Sequence, residues 1–190
     1  KQYEDRNINS IYFDDNFFSS IKQNLDGIAE KKKYRVRWYG SEKIINNPIF
    51  EIKSKKGFLV KKKHFNLDKF DNNSETNDKN YITKLYNYLN KNFKFKNEIK
   101  PILSTHYLRS YFISSNGLIR ATLDRNIRSF LLTKNKDKNI CKSYNEIILE
   151  VKYDLNLDSY VRNNLRNISV LLAKNSKYVN GAVNRADFFA

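Results

Sequence analysis

The sequence holds one cysteine, Cys141, so no disulfide can form within the chain; a disulfide scaffold is excluded and a reducing compartment is compatible. No window approaches the roughly 18 consecutive apolar residues of a membrane span. The opening KQYEDRNINS has no hydrophobic signal-peptide core, and cytoplasm is the default location. Internal repeats and low-complexity tracts are absent as well. The two histidines, His64 and His106, are far apart and lack a second ligand at helical or turn spacing, which favours structural or surface roles over a metal site. Acid is also scarce: Asp and Glu total 20 against 36 Lys and Arg, leaving a net charge of +16. Such an excess implies a polyanionic partner, whether nucleic acid, anionic lipid or a phosphate polymer.

What the chain does have is enough apolar matter to fold. Its 190 residues are 40% hydrophobic, with 13 Tyr and 13 Phe, which argues against disorder and for a single domain. A β-type run at Asn7–Phe13 is followed by a short helix from about Phe17 to Leu25. Three alternating segments then suggest a meander: KKYRVRWYG, NPIFEIKSK and GFLVKKKHFNL. Tyr81, Ile82, Leu85, Tyr88, Leu89 and Phe93 recur at helical spacing, giving an amphipathic helix on the outside of a sheet. ILSTHYLRSYFIS and LIRATLDRNI flank a Ser115-Asn116-Gly117 turn and read as a hairpin. SYNEIILEVKYD reads as one further strand, Leu157–Leu172 as a helix, and the sequence from Lys174 as a polar tail. The fold class is α+β, dominated by antiparallel strands.

Residues two apart share a strand face. Lys33, Arg35 and Arg37 therefore oppose Tyr34, Val36 and Trp38, while Glu51 and Lys53 oppose Phe50 and Ile52. In the same way Arg120, Thr122 and Asp124 oppose Ile119, Ala121 and Leu123. Glu146, Glu150, Lys152 and Asp154 oppose Leu149, Val151 and Tyr153, with Ile148 out of place on the charged side. A merely solvated face mixes both signs, whereas these are rich in cations with isolated carboxylates among them. Closed into a barrel with apolar faces outward under helices 17–25, 81–93 and 157–172, the strands would line a basic lumen. Such a lumen calls for an anion to fill it. Arginine grips phosphate oxygens bidentately, lysine adds a point charge, and the carboxylates suit Mg2+ or Mn2+.

SIYFDD, DGIAEKKKYRVRWYG, FEIKSKKG, HYLRSYF, LIRATLD, ILEVKYD and NSKYVNG, in that order along nearly the whole chain, resemble the VTC domain of polyphosphate polymerases, in the triphosphate tunnel metalloenzyme (CYTH-like) group. The resemblance implies an antiparallel β-barrel tunnel with helices packed outside. It gives catalytic phosphate contacts to Arg35, Arg37, Lys53, Arg109 and Arg120, and further phosphate contacts to Lys62, Tyr107, Lys152, Ser176 and Lys177. Glu150 is implied as the ligand of Mn2+ or Mg2+. Strand register within Lys61–Lys63 is left open by the sequence, Lys62 being favoured to point inward. Residues 1–190 then form a single VTC-type domain, with a further strand carrying a glutamate and a lysine expected upstream of Lys1.

The function so implied is transfer of the γ-phosphate of ATP to a growing inorganic polyphosphate chain. A metal-dependent inorganic or nucleoside triphosphatase and a noncatalytic polyphosphate-binding regulatory domain are the alternatives. No nucleic acid is expected, because an open nucleic-acid surface gives no reason for Glu51, Asp124 and Glu150 to sit among the cations. A membrane-protein partner could place the domain at the cytoplasmic face of a membrane.

Overall fold

The computed structural model describes residues 1–57, 59–70, 79–132, 141–168 and 173–183. The alternating segments form strands β1 (Tyr3–Asp15), β2 (Glu30–Tyr39), β3 (Ile49–Lys56), β4 (Leu59–Asn66), β5 (Ile99–Ile113), β6 (Arg120–Leu131), β7 (Cys141–Tyr144) and β8 (Ile148–Lys152). Helices α1 (Ser19–Leu25), α2 (Lys79–Asn92), α3 (Asp158–Leu165) and α4 (Lys177–Val183) complete the set. All pairings are antiparallel, in the order β4-β3-β2-β1-β5-β6-β7 with β8 also on β6. The sheet curls into a half-barrel. Lys53 of β3 comes within electrostatic reach of Glu150 and Lys152 of β8, although neither strand pairs with the other. No helix among the described residues is long and apolar enough to cross a membrane.

The convex face is the apolar one, as the alternation implies. Val36, Trp38 and Phe50 are fully buried there against Tyr81, Leu85 and Leu89 of α2, which fall at i, i+4 and i+8 on one helical stripe. Each fully buried Leu contributes roughly 1.5–3 kcal/mol. Trp38 spends its one polar atom on the Ser41 carbonyl at 2.9 Å, so it serves the core.

Other elements depart from the sequence reading. α1 packs with Tyr12, Leu103, Tyr178 and Ala182 at one end of the concave side, and does not cover the convex face. The segment read as a polar tail contains α4, whose Tyr178, Gly181 and Ala182 are buried. The signal is faint because the apolar face is built from small residues. Ser176 opens the helix, its Oγ accepting from Val179 N at 3.3 Å, and the Tyr178 hydroxyl donates to Asp14 Oδ2 at 2.8 Å. Asp14 also accepts the Ser20 amide at 3.0 Å, tying α1 and α4 to β1; its burial raises the carboxyl pKa. The helix expected over 157–172 ends at Leu165, residues 169–172 lying outside those described.

The single strand read at 143–154 is two, β7 and β8, both laid on β6. Opposite the break, β6 carries a bulge at Asn126, in the left-handed region at φ 54°. Beyond it the parity flips, which sends Ile127 to the concave side with Ile8, Tyr107 and Ile148. That small apolar cluster accounts for Ile148 among charged neighbours.

α4 seats closely. A Cβ at Gly181 would stand 2.5 Å from Leu103 Cδ2 and 3.2 Å from Ser129 Cβ. Gly181→Val is expected to cost about 2 kcal/mol through overpacking, lowering the thermal midpoint by roughly 4–8 °C. An unchanged melting curve would contradict this seating.

Candidate functional site

Cross-strand register assembles the concave face. Lys33 lies opposite Lys53 and Arg35 opposite Glu51, and on the far side of β3, Lys53 and Glu51 face Lys62 and His64 of β4. This resolves the register of the lysine run: Lys62 shares the face of Lys53. Across β1, Tyr12 neighbours Arg35 and Ser10 neighbours Arg37. Farther round, Arg109 pairs with Asp124, Thr122 with Glu150, and Arg120 with Lys152. Tyr107 shares the Arg109 face, and α4 brings Ser176 and Lys177 over it. The concave side thus collects Arg35, Arg37, Lys53, Lys62, Tyr107, Arg109, Arg120, Glu150, Lys152, Ser176 and Lys177.

The cations there fall into two groups. Glu51, 6% exposed, takes Arg35 Nε at 2.5 Å and Arg37 Nη2 at 2.7 Å, with His64 Nε2 at 3.6 Å. Asp124, 1% exposed, takes Arg109 through Nε at 2.6 Å and Nη2 at 2.7 Å, and Lys177 Nζ as well. Burial opposes ionisation of Asp124, but the Arg109 hydrogen bond and the two positive charges outweigh it and hold the carboxyl below its usual value. By contrast, Lys53, Lys62 and Arg120 have no ion pair among the described residues. These are the groups free to meet an anion without first giving up a carboxylate.

Lys33 donates to Ser176 Oγ at 2.9 Å, joining β2 to the start of α4. Burial, reinforced by Lys53, Lys31 and Arg35, pushes its ammonium pKa down to about 8. Tyr107 lies under Arg109 and Lys177, whose charged groups stand 5.3 and 4.5 Å from its ring centre; burial raises its hydroxyl pKa, so it remains a donor. Sequence reasoning passed over Lys33 as a ligand, and Arg6 altogether. Arg6 is opposite Arg109 in β1 and 5.1 Å from the Tyr3 ring centre. Its alternation with Ile8, Ser10 and Tyr12 was the available signal, once the strand is begun at Tyr3 and not at Asn7.

His106 sits on the opposite face of β5, its Nδ1 at 2.9 Å from Asn9 Oδ1. Burial pushes its pKa down to about 4, although Glu42 opposes this. It contributes nothing to the concave face.

A divalent cation has a limited foothold. No group of three or more His, Cys, Asp or Glu side chains able to hold a metal occurs among the described residues. Glu150 is half-exposed on the concave face, 3.1 Å from Lys152 Nζ. Burial disfavours its charge, yet Lys152, Arg109 and Lys177 keep its pKa below the usual value. Unlike Glu51 and Asp124 it is not bound to an arginine. One such carboxylate suits a hard cation that takes its remaining ligands from water and phosphate oxygens.

The VTC domain matches residues 1–184. The chain belongs to the VTC domain family. The curled sheet of this VTC domain is also similar to a candidate adenylate cyclase from Bacillus halodurans, with 15% identity, a TM-score of 0.51, and coverage of 98% of this chain and 83% of that one. A candidate adenylyl cyclase from Hippeastrum, described as having a dominant triphosphatase activity, gives 11% identity and a TM-score of 0.55, covering 96% of this chain and 84% of that one. At such identities these neighbours establish the fold alone, a curled antiparallel sheet with helices packed on it. No curated protein sequence matches the chain.

The position of Lys33 yields a proton signature. At pH 8 its ammonium is partly neutral, and an arriving polyanion favours the charged form. Binding of tripolyphosphate at pH 8 should therefore take up roughly half a proton more in the unaltered chain than in Lys33→Arg, read as the difference in their buffer-dependent calorimetric heats. Proton release by the ligand itself is common to both chains, so an equal buffer dependence in the two would refute the assignment. The depressed pKa also means that Lys33 favours folding above pH 10.5 and loses that contribution as pH falls through about 8.

Proposed function

We propose that this VTC domain is a polyphosphate polymerase, transferring the γ-phosphate of ATP to the end of an inorganic polyphosphate chain along the concave face, with Mn2+ or Mg2+. The observation that carries the reading is the extension of the basic lane beyond the central arginines. A cavity of about 560 Å3 adjoins them, lined by Lys31, Lys33, Lys53, Lys55 and Lys174, with Ser176, and by no carboxylate among the described residues. Along β2, Arg37 to Lys31 spans roughly 20 Å at about 3.3 Å per residue, more than a triphosphate needs and suited to a longer chain.

Phosphoryl transfer asks the protein chiefly for position and charge neutralisation. Arg35, Arg37 and Arg109 retain guanidinium hydrogens beyond those given to Glu51 and Asp124, and with Lys53, Lys62, Arg120 and Lys177 they would hold the phosphates in line. Tyr107 and Ser176 add neutral donors. An oxygen of the terminal polyphosphate attacks the γ-phosphorus, the bridge to the β-phosphate breaks, and ADP leaves. The attacking oxygen is already anionic, so no general base is needed. A cation held by Glu150, beside Lys152, would supply further neutralisation of the triphosphate oxygens.

A triphosphatase is the second reading, with water as acceptor on the same face; the Hippeastrum protein of like fold is described with that activity. Incubation with ATP and Mn2+ separates the two. Long-chain polyphosphate on a gel is expected, and free phosphate without polymer would contradict the polymerase. Glu150→Ala should abolish metal-dependent turnover. Arg120→Ala should weaken tripolyphosphate binding roughly tenfold, as loss of a charge-assisted contact. Lys31→Glu with Lys55→Glu should shorten the polymer while leaving tripolyphosphate affinity within a few-fold.

A further inference from the structure

We propose that Glu51 and Asp124 limit the grip of the channel on phosphate, weakening polyanion binding so that the polymer can advance and leave. The proposal rests on the reading of the concave face as a phosphate channel. Neither carboxylate is placed to hold a metal, since Glu51 is occupied by Arg35 and Arg37 and Asp124 by Arg109 and Lys177. Nor does stability explain them well, because buried ion pairs seldom outperform apolar packing. Each is nearly inaccessible to solvent, so water screens it little.

In a site built for anions, such a carboxylate has two opposing effects. It fixes two guanidinium groups, or a guanidinium and an ammonium, in place before ligand arrives. It also repels every phosphate those cations attract. A polymer touching many cations would otherwise bind uniformly tightly, which lowers KM without raising kcat and delays product departure. The distribution of charge is consistent with this balance. Arg35, Arg37 and Arg109 are each offset by a buried acid, whereas the lysines of the adjoining cavity have none among the described residues of its lining.

The test compares Glu51→Gln and Asp124→Asn with the unaltered chain, using tripolyphosphate in titration calorimetry, thermal melting with and without it, and steady-state turnover of ATP. Both substitutions keep the side chain's size and remove its charge. The apo melting point should fall, because cations are left unpaired. Affinity for tripolyphosphate should nonetheless rise about tenfold, the melting shift on saturation should grow, and kcat and KM should both drop. Glu51→Asp, which retains charge, should restore affinity to near the unaltered value.

A scaffold that only positions the arginines would lose affinity along with stability. Equal or weaker binding in both neutral variants therefore overturns the proposal, and Asp124→Asn decides alone if Glu51→Gln does not fold. An unaltered chain that binds tripolyphosphate but makes no polymer would remove the polymerase reading and leave the binding comparison decisive. Failure to bind tripolyphosphate at all would overturn both.

Discussion

Mutual repulsion among cations on one face of a sheet is the constraint around which this VTC domain is built. Lys33, Arg35 and Arg37 stand on alternate residues of one strand, opposite Lys53 and beside Lys62 on the next. Such a face could not hold its shape by itself. Its shape comes from the other side, where Trp38, Phe50 and α2 lock the convex surface with dense apolar packing. The pleat of β2 and β3 therefore separates two tasks, with stability on one side and charge on the other.

On the charged side the offset is unequal. Arginines meet buried acids, while several lysines and Arg120 meet none among the described residues. Glu150, only half-buried and paired with a lysine, remains the acid best able to accept a cation. α4 closes one end of the arrangement. Through Tyr178 it is tied to Asp14, through Lys177 to Asp124, and through Ser176 to Lys33. A short helix thereby links β2, β1 and β6 across the concave side, near the proposed path of phosphate.

The regular parts of this design were legible from sequence. Alternation separated Arg35 and Arg37 from Val36 and Trp38, and the Tyr81–Leu85–Leu89 spacing found the covering helix. What periodicity could not follow was a change of parity: the bulge at Asn126 reverses β6 while β7 and β8 keep one phase, so that Ile127 and Ile148 meet on the same face. α4 was hidden because Gly181 and Ala182 bury little apolar surface, and their fit depends on Leu103, distant in sequence. Carboxylate roles were equally out of view. Glu51, Asp124 and Glu150 look alike along their strands, and only the register distinguishes those clasped by arginine from the one that is not.

The central claim is that phosphate lies on the concave face. A crystal structure of the chain with tripolyphosphate and Mn2+ tests it most directly, the metal being located by its anomalous scattering. The account predicts phosphates between Arg35 and Arg37 on one side and Arg109 on the other, with manganese at the Glu150 carboxylate. Phosphate on the convex face, or manganese bound away from Glu150, would contradict it.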